Sequence, residues 1–360
     1  MFQDVFLVGP GGVGKSLIGE MFSHGDLDVK IHENPSRVVG IANSRYFIYR
    51  PKGLSLREIE GFYVGDAWRK PFTIENALNE VAAGKGHEQL VFVDATPASG
   101  MIELYENVID KTPWSIVTAN KKPLVECSFE KFKRLTRDVN RMGYDCSVMA
   151  GSGGVSWIRK NVDLRDPLKS IIGILSGTNG FVMNRVMNLM RFSSSVEGAV
   201  KEGYAEPDCA DDVNGKDTAR KLVISARTGG IDVDMSRVER EGLVPDEMLV
   251  GSYATVINKL REVDGKYMKM ARGAREAGRV WSFVAEYDGG RLRVGPRVLD
   301  KEHPLAQVRN NENRMIVTTR EGYRYDSAPV PGAGLNVTAR NMRQNLNDLL
   351  PGRKVSFSVS

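Results

Sequence analysis

Lys221 and Asp217 lie four positions apart in a segment that predicts a helix over 217–228, so both side chains share one face of that helix. A lysine beside a carboxylate can donate and recover a proton, as the reduction of a carbonyl requires. A surface ion pair has the same spacing, and spacing alone leaves both interpretations open. Glu206 lies upstream in the acidic turn GYAEPD (203–208), which is either a ligand site or a solvated loop.

A second candidate site is the segment GPGGVGKS (9–16), which fits both GxGxxG of dinucleotide folds and GxxxxGK[ST] of P-loop hydrolases. In both folds, free N–H groups at the start of a helix face the phosphates. In a P-loop enzyme Lys15 would contact a terminal phosphate, and Asp94, at the end of an apolar strand, would hold magnesium. In a dehydrogenase Lys15 would be an ordinary first-turn lysine. These residues alone do not decide between the two.

The elements that position these residues alternate between strand and helix patterns in the first part of the chain. Such alternation predicts an α/β fold with a doubly wound parallel sheet, whose ligands lie outside the carboxyl ends of the strands. The predicted strands are 5–8, 38–41, 90–93 and 116–118, and the predicted helices are 13–22 and 74–83.

Near residue 145 the pattern changes at the glycine-rich segment AGSGG (150–154), where we expect a domain boundary. Helices and strands then mix without regular alternation, which indicates an α+β domain. The predicted helices there are 180–190, 196–202 and 217–228, and the predicted strands are 170–175, 280–287, 291–294 and 315–319. The expected domains are 1–145, 146–310 and a C-terminal segment, 311–360, which returns to the first domain through a helix near 338–350.

Composition excludes several classes of protein. With 41% hydrophobic and 26% charged residues, the 360-residue chain is typical of globular proteins and long enough for two domains. Its net charge of +5 comes without a long basic block, which favours a small anionic ligand over nucleic acid. Three scattered cysteines and four histidines show no disulfide or zinc spacing. No apolar run is long enough for a bilayer, so we expect a cytoplasmic protein with no membrane partner.

The second domain contains, in order, the motifs GTN (177–179), GYAEPD (203–208) and DVNGKD (212–217), followed by Lys221. This series of motifs resembles homoserine dehydrogenase. The similarity covers nearly the whole chain, because it includes VTANKK (117–122), HPLA (303–306), GAG (332–334) and Thr338-Ala339. It implies a homodimeric oxidoreductase that interconverts L-aspartate 4-semialdehyde and L-homoserine in threonine and methionine biosynthesis. A P-loop hydrolase and a non-catalytic dinucleotide sensor are the rival functions.

The resemblance also implies roles for individual residues. Lys221 matches the family's proton-transfer lysine, and Lys121 matches a second catalytic lysine near the nicotinamide. The residues that match the substrate site are Glu206, Asp217, Gly177, Thr178, Asp212 and Tyr204.

For the cofactor, the resemblance makes 9–14 the pyrophosphate turn of a Rossmann domain. The residues expected to line the cofactor are Gly9, Gly11, Gly12, Val13, Gly14, Thr96, Lys121, Gly203 and Gly334. After the second strand, Asn43, Ser44 and Arg45 stand where an acid would bind the ribose of NAD. Since Arg45 can meet a 2'-phosphate, we expect NADP, although NAD is possible.

Members of this family also bind a monovalent cation, usually sodium, mainly through main-chain carbonyls before the second domain. The corresponding carbonyls belong to Asp145, Val148, Ala150 and Ser152. Asp145 stands where glutamate is usual in the family and Gly153 where proline is usual, so a glycine-rich hinge is the alternative interpretation of this segment.

Overall fold

The computed structural model describes residues 2–33, 35–65, 68–84, 86–87, 89–150, 152–205, 209–332, 334–350 and 352. These residues divide into two compact units. Unit 1 contains the described residues of 1–147 and of 335–360, and unit 2 contains those of 148–334. No helix among the described residues combines the length and apolar character needed to cross a bilayer.

Unit 1 contains a mixed sheet in the strand order β4-β3-β2-β1-β5-β6-β7. Its strands are β1 (Gln3–Val8), β2 (Ser36–Ala42), β3 (Tyr46–Tyr49), β4 (Lys70–Pro71), β5 (Gln89–Asp94), β6 (Ser115–Thr118) and β7 (Met142–Gly143). The neighbouring strands β2, β1, β5, β6 and β7 pair in parallel. The strands β3 and β4 extend the edge beside β2 with antiparallel pairs. The predicted α/β class is confirmed, and the antiparallel edge is a feature that the sequence analysis did not predict.

The position of β1 in this sheet defines where a ligand would bind. The chain passes from β1 to β2 on one side, and β5 lies on the other side of β1, so the sheet reverses its winding between β1 and β5. In open α/β sheets, ligands bind outside the carboxyl ends of the strands at such a switch point. The segments that follow Val8 and Asp94 meet there, because the N–H of Ala95 donates to the carbonyl of Val8 at 2.9 Å.

Side chains cap three of the helices in the first part of unit 1. They are α1 (Gly12–Ser23), α2 (Leu56–Val64), α3 (Ile74–Ala83), α4 (Ile102–Lys111), α5 (Lys122–Glu126) and α6 (Phe129–Thr136). Ser55 and Glu58 form a capping box at the start of α2, and Thr73 and Ser128 cap α3 and α6 through their hydroxyl groups. In contrast, α1 and α4 have no side-chain hydrogen bond at their caps.

Unit 2 contains a second mixed sheet in the order β13-β12-β8-β10-β11-β9, with β14 paired to β12. Its strands are β8 (Leu168–Ile174), β9 (Val238–Arg240), β10 (Arg279–Asp288), β11 (Arg291–Asp300), β12 (Glu312–Thr319), β13 (Arg324–Asp326) and β14 (Val330–Pro331). Its helices are α7 (Gly154–Asp163), α8 (Gly177–Met187), α9 (Phe192–Lys201), α10 (Ala210–Val213), α11 (Lys216–Thr228), α12 (Tyr253–Arg261) and α13 (Asp264–Glu276). The sequence analysis groups 311–334 with the C-terminal segment, whereas the described residues of this range lie in unit 2, where β12 pairs with β8.

The C-terminal helix α14 (Leu335–Asp348) belongs to unit 1. Its buried residues Ala339, Met342 and Leu346 share one apolar cluster with Leu17 and Met21 of α1. Burial of a continuous apolar stripe is what stabilises such a helix. Unit 1 is therefore built from two separate stretches of the chain.

Candidate active site

Unit 2 has a polar cleft of about 300 Å³ that brings together most of the residues expected to bind substrate. The predicted residues that line it are Gly177, Thr178, Gly203, Tyr204, Asp212, Asp217 and Lys221. Three lining residues were not predicted: Ser176, Ala205 and Gly332. Glu206, the remaining predicted substrate residue, lies outside the described residues.

Lys221 is held at the wall of this cleft by two acceptors. Its Nζ donates to the main-chain carbonyl of Leu175 at 2.7 Å and forms an ion pair with Asp217 Oδ2 at 2.9 Å. Lys221 is only 9% exposed, and the Asp217 side chain is also largely covered. The pair is therefore not a solvated surface pair, which was one of the two interpretations of its spacing. An ammonium group has three donors, so one N–H remains after these two bonds.

The neighbouring elements are fixed to one another by partly buried hydrogen bonds. Thr178 Oγ1 donates to the carbonyl of Tyr204 at 2.7 Å, which connects the start of α8 to the 203–205 turn. Asn179 Nδ2 donates to the carbonyl of Asp212 at 2.7 Å, which connects α8 to α10. Asn179 is fully buried, and its role was not predicted, although the GTN motif contains it.

In unit 1 the glycine turn forms a cradle that side chains would fill. Gly9 has φ +92°, and a Cβ there would lie 2.7 Å from the Thr96 side chain. A Cβ on Gly14 would lie 2.4 Å from the carbonyl oxygen of Gly9. The turn from Gly9 to Gly11 leads directly into α1, whose first N–H groups have no side-chain cap at Gly11. Uncapped N–H groups at a helix N-terminus suit a phosphate, so these residues fit the pyrophosphate of a dinucleotide.

The same turn contradicts the P-loop interpretation. Since α1 already begins at Gly12, Lys15 lies within its first turns, where its Nζ stands 4.4 Å from the centre of the Tyr63 ring. Ser16 Oγ donates to Asn336 Oδ1 at 2.8 Å. Asp94, the predicted magnesium ligand of that interpretation, is fully buried and accepts hydrogen bonds from protein groups.

The other predicted cofactor residues of unit 1 also follow strands. Asn43, Ser44 and Arg45 form the tight turn between β2 and β3, in which Asn43 Oδ1 accepts from the N–H groups of Arg45 and Tyr46 at 2.8 Å. Ser44 and Arg45 are exposed at its tip. Lys121 lies after β6 at the start of α5. Val13 packs against the apolar core beneath the turn, and Gly12 approaches Leu335.

The predicted cation ligands belong to both units of the chain. Asp145 belongs to unit 1, while Val148, Ala150 and Ser152 belong to unit 2, with Val148 and Ala150 buried. The carbonyl of Ser152 accepts a hydrogen bond from the hydroxyl of Tyr325. The sodium site therefore stays a prediction. Gly334, predicted to line the cofactor, has φ +137° at the end of unit 2.

A model of the homoserine dehydrogenase family matches residues 155–348, which is more than half of the chain. The chain is 29% identical over 350 residues to bifunctional aspartokinase/homoserine dehydrogenase 1 of Zea mays, covering 93% of this chain and 37% of that protein. It is 30% identical over 353 residues to the bifunctional aspartokinase/homoserine dehydrogenase of Haemophilus influenzae, covering 93% and 41%. The chain thus spans about two fifths of the length of these curated relatives.

Solved structures share the fold. A crystal structure of a protein of unknown function from Candida auris matches with a TM-score of 0.81 at 24% identity, covering 98% of this chain and 99% of the other. A hyperthermophilic archaeal homoserine dehydrogenase in complex with NADPH matches with a TM-score of 0.72 at 20% identity, covering 96% and 97%.

Proposed function

The chain belongs to the homoserine dehydrogenase family, and we propose that it catalyses the NADP-dependent interconversion of L-aspartate 4-semialdehyde and L-homoserine. The observation that carries this proposal is the buried pair of Lys221 and Asp217 at the wall of a polar cleft in unit 2. A covered ammonium group with one remaining N–H can protonate an oxygen, and the cleft has the size of a small-molecule site.

Substrate recognition would follow from the charges of the cleft. The amino-acid substrate carries an ammonium group, which Asp212 and Asp217 can bind as carboxylates, and the resemblance adds Glu206 to them. Its carboxylate suits the N-terminus of α8, where Gly177 and Thr178 line the cleft and first-turn N–H groups favour an anion.

When bound, the nicotinamide supplies or accepts the hydride at the aldehyde carbon. In the reducing direction, Lys221 delivers a proton to the aldehyde oxygen as that oxygen gains the electron pair of the carbonyl bond. In the oxidising direction, the neutral amine of Lys221 takes the hydroxyl proton back. The carbonyl of Leu175 and the carboxylate of Asp217 hold Nζ in one position during both steps.

For the cofactor, the cradle of Gly9 and Gly14 and the uncapped start of α1 would hold the pyrophosphate. Thr96, Lys121, Gly203 and Gly334 keep the cofactor-lining roles that the resemblance implies. We favour NADP because Arg45 lies exposed in the turn after β2, where a 2'-phosphate would be met by a guanidinium group. We also propose that the protein is a cytoplasmic homodimer, that it acts in threonine and methionine biosynthesis, and that it binds a sodium ion.

The test is to mix the protein with L-homoserine and either NADP or NAD, and to follow the near-ultraviolet absorbance of the reduced cofactor, NADPH or NADH. L-threonine is the matched control, because this isomer carries its hydroxyl group on a secondary carbon. We expect reduction of NADP with homoserine and none with threonine. Binding of NADPH without turnover of either substrate would instead identify a non-catalytic dinucleotide sensor. Magnesium-dependent hydrolysis of ATP or GTP would refute the dehydrogenase assignment.

A further inference from the structure

A buried polar network connects the ends of β5 and β6 at the switch point of unit 1. Asp94 Oδ1 accepts from the N–H and the hydroxyl of Thr96 at 2.8 and 2.7 Å. Asp94 Oδ2 accepts from Tyr105 Oη at 2.7 Å and from Asn120 Nδ2 at 3.1 Å. Asp94, Tyr105 and Thr118 are fully buried, and Asn120 is nearly so. One carboxylate therefore organises both post-strand segments.

Burial of a carboxyl group is costly unless its oxygens are satisfied, and here four donors satisfy them. Burial raises the pKa of Asp94, and the hydrogen bonds from Tyr105, Thr96 and Asn120 oppose that shift. Each of these donors therefore matters, because removing one of them leaves the buried carboxylate partly unsatisfied.

Tyr105 is the central member of a chain of hydroxyl groups. Its Oη lies 2.7 Å from both Asp94 Oδ2 and Thr118 Oγ1, yet a phenol carries a single hydrogen. When that hydrogen points to the Asp94 carboxylate, Thr118 can donate to the phenol oxygen in turn. Thr118 Oγ1 also accepts from the N–H of Asn120 at 2.9 Å, so the chain ends at the residue directly before Lys121.

The network reaches the glycine cradle on its other side. The segment that Asp94 fixes through Thr96 lies against Gly9, since a Cβ at Gly9 would be 2.8 Å from the main-chain nitrogen of Thr96. Asn120 Nδ2 also donates to the carbonyl of Ala98 at 2.8 Å, which joins the two segments beyond Asp94.

We propose that Asp94 and Tyr105 are positioning residues for the dinucleotide, which hold the Thr96 and Asn120 segments in the conformation that accepts the cofactor. This inference rests on the proposed function, because both segments contain residues assigned to the cofactor there. Neither Asp94 nor Tyr105 contacts the ligand in this proposal. They act through Thr96, Asn120 and the cradle of Gly9.

The test is Tyr105→Phe in the full chain, with Tyr267→Phe as the matched control. Tyr267 is a buried tyrosine of unit 2 whose hydroxyl donates to the carbonyl of Leu243, so its variant also loses one buried hydrogen bond. We expect the NADPH dissociation constant and KM of Tyr105→Phe to rise by about tenfold, the scale of one lost hydrogen bond. The KM for homoserine should stay within about twofold, and Tyr267→Phe should leave both NADPH parameters unchanged.

Thr118→Val provides a second route if Tyr105→Phe does not fold, because it removes the next hydroxyl of the chain from a side chain of nearly equal shape. It should weaken NADPH binding in the same direction. Equal dissociation constants for Tyr105→Phe, Thr118→Val and Tyr267→Phe would overturn the positioning role. If the unaltered chain bound NADPH but did not turn over homoserine, only the proposed function would be refuted. The dissociation constants of the variants would still decide whether Asp94 and Tyr105 have the positioning role.

Discussion

Replacing Gly14 by alanine tests the glycine cradle directly. The added Cβ would lie 2.4 Å from the carbonyl oxygen of Gly9, whereas ordinary contact begins at 3.4 Å, so the turn has to retreat by about 1 Å. Overpacking of this kind typically costs about 1–3 kcal/mol. The same retreat moves the N–H groups that would bind the pyrophosphate, and the dissociation constant of NADPH should rise by about tenfold or more.

Gly19 is the matched control, because it lies in the same helix and a Cβ there meets nothing within 4 Å. Alanine is favoured over glycine in a helix by up to about 1 kcal/mol, and this gain applies to both variants. The difference in unfolding free energy between Gly14→Ala and Gly19→Ala therefore isolates the overpacking cost of about 1–3 kcal/mol. Gly19→Ala should be as stable as the unaltered chain or more so, with unchanged NADPH affinity.

The measurements are denaturant unfolding for stability and a fluorescence titration for NADPH. If Gly14→Ala bound NADPH as tightly as Gly19→Ala, the pyrophosphate would not lie on this turn, whatever the stability showed. If the two variants were equally stable, the close approach of Gly14 to Gly9 would not exist in solution.

Three further predictions follow from other sites. Lys221→Met should lower kcat by about 10²–10⁴-fold with NADPH affinity intact, because a general acid is lost; Lys216→Met, on the same helix, is the control, and near-normal turnover of the Lys221 variant would refute the mechanism. Arg45→Ala should weaken NADP binding and spare NAD binding, and equal losses would exclude a 2'-phosphate contact. Arg314 holds Asp326 through bonds of 2.8 and 2.9 Å and lowers the pKa of that carboxyl. Asp326→Asn should therefore cost about 1 kcal/mol near neutral pH, a difference that disappears as acid protonates the unaltered carboxyl below about pH 4 in unfolding titrations.

Local signals in the sequence account for some elements of the fold. The helix predicted over 74–83 has these bounds in the structure, because Thr73 caps its start and Gly84 ends it. The helices α4 and α7 were missed and begin without a side-chain cap, but α2, α6 and α12 were also missed although serine side chains cap them. The stability of α4 and α7 comes from buried apolar residues such as Leu104 and Ile158, and α7 contacts β12, which is far away in the chain. A local pattern does not reveal such partners.

The cleft of unit 2 shows the same limit at the level of single groups. The spacing of Asp217 and Lys221 predicted their shared helical face, and the structure confirms the pair. The carbonyl of Leu175 was not predictable, because a main-chain acceptor has no side-chain signature and is brought to Lys221 by the packing of α11 beside the end of β8. Asn179 belongs to the GTN motif, but the motif alone does not reveal that its buried side chain donates to the carbonyl of Asp212.

The segment 9–16 matched two motifs because both describe the same glycines, and the starting point of the helix is what distinguishes them. A P-loop keeps Gly9 to Gly14 as an open loop around phosphates, so that the following lysine can turn back to them. Here α1 begins at Gly12, and its first turn brings Gly14 against the carbonyl of Gly9. Lys15 is carried away from the turn to the ring of Tyr63, a residue of α2 that no phosphate motif includes. Tertiary packing, rather than the motif, therefore determines which phosphate chemistry the glycines can support.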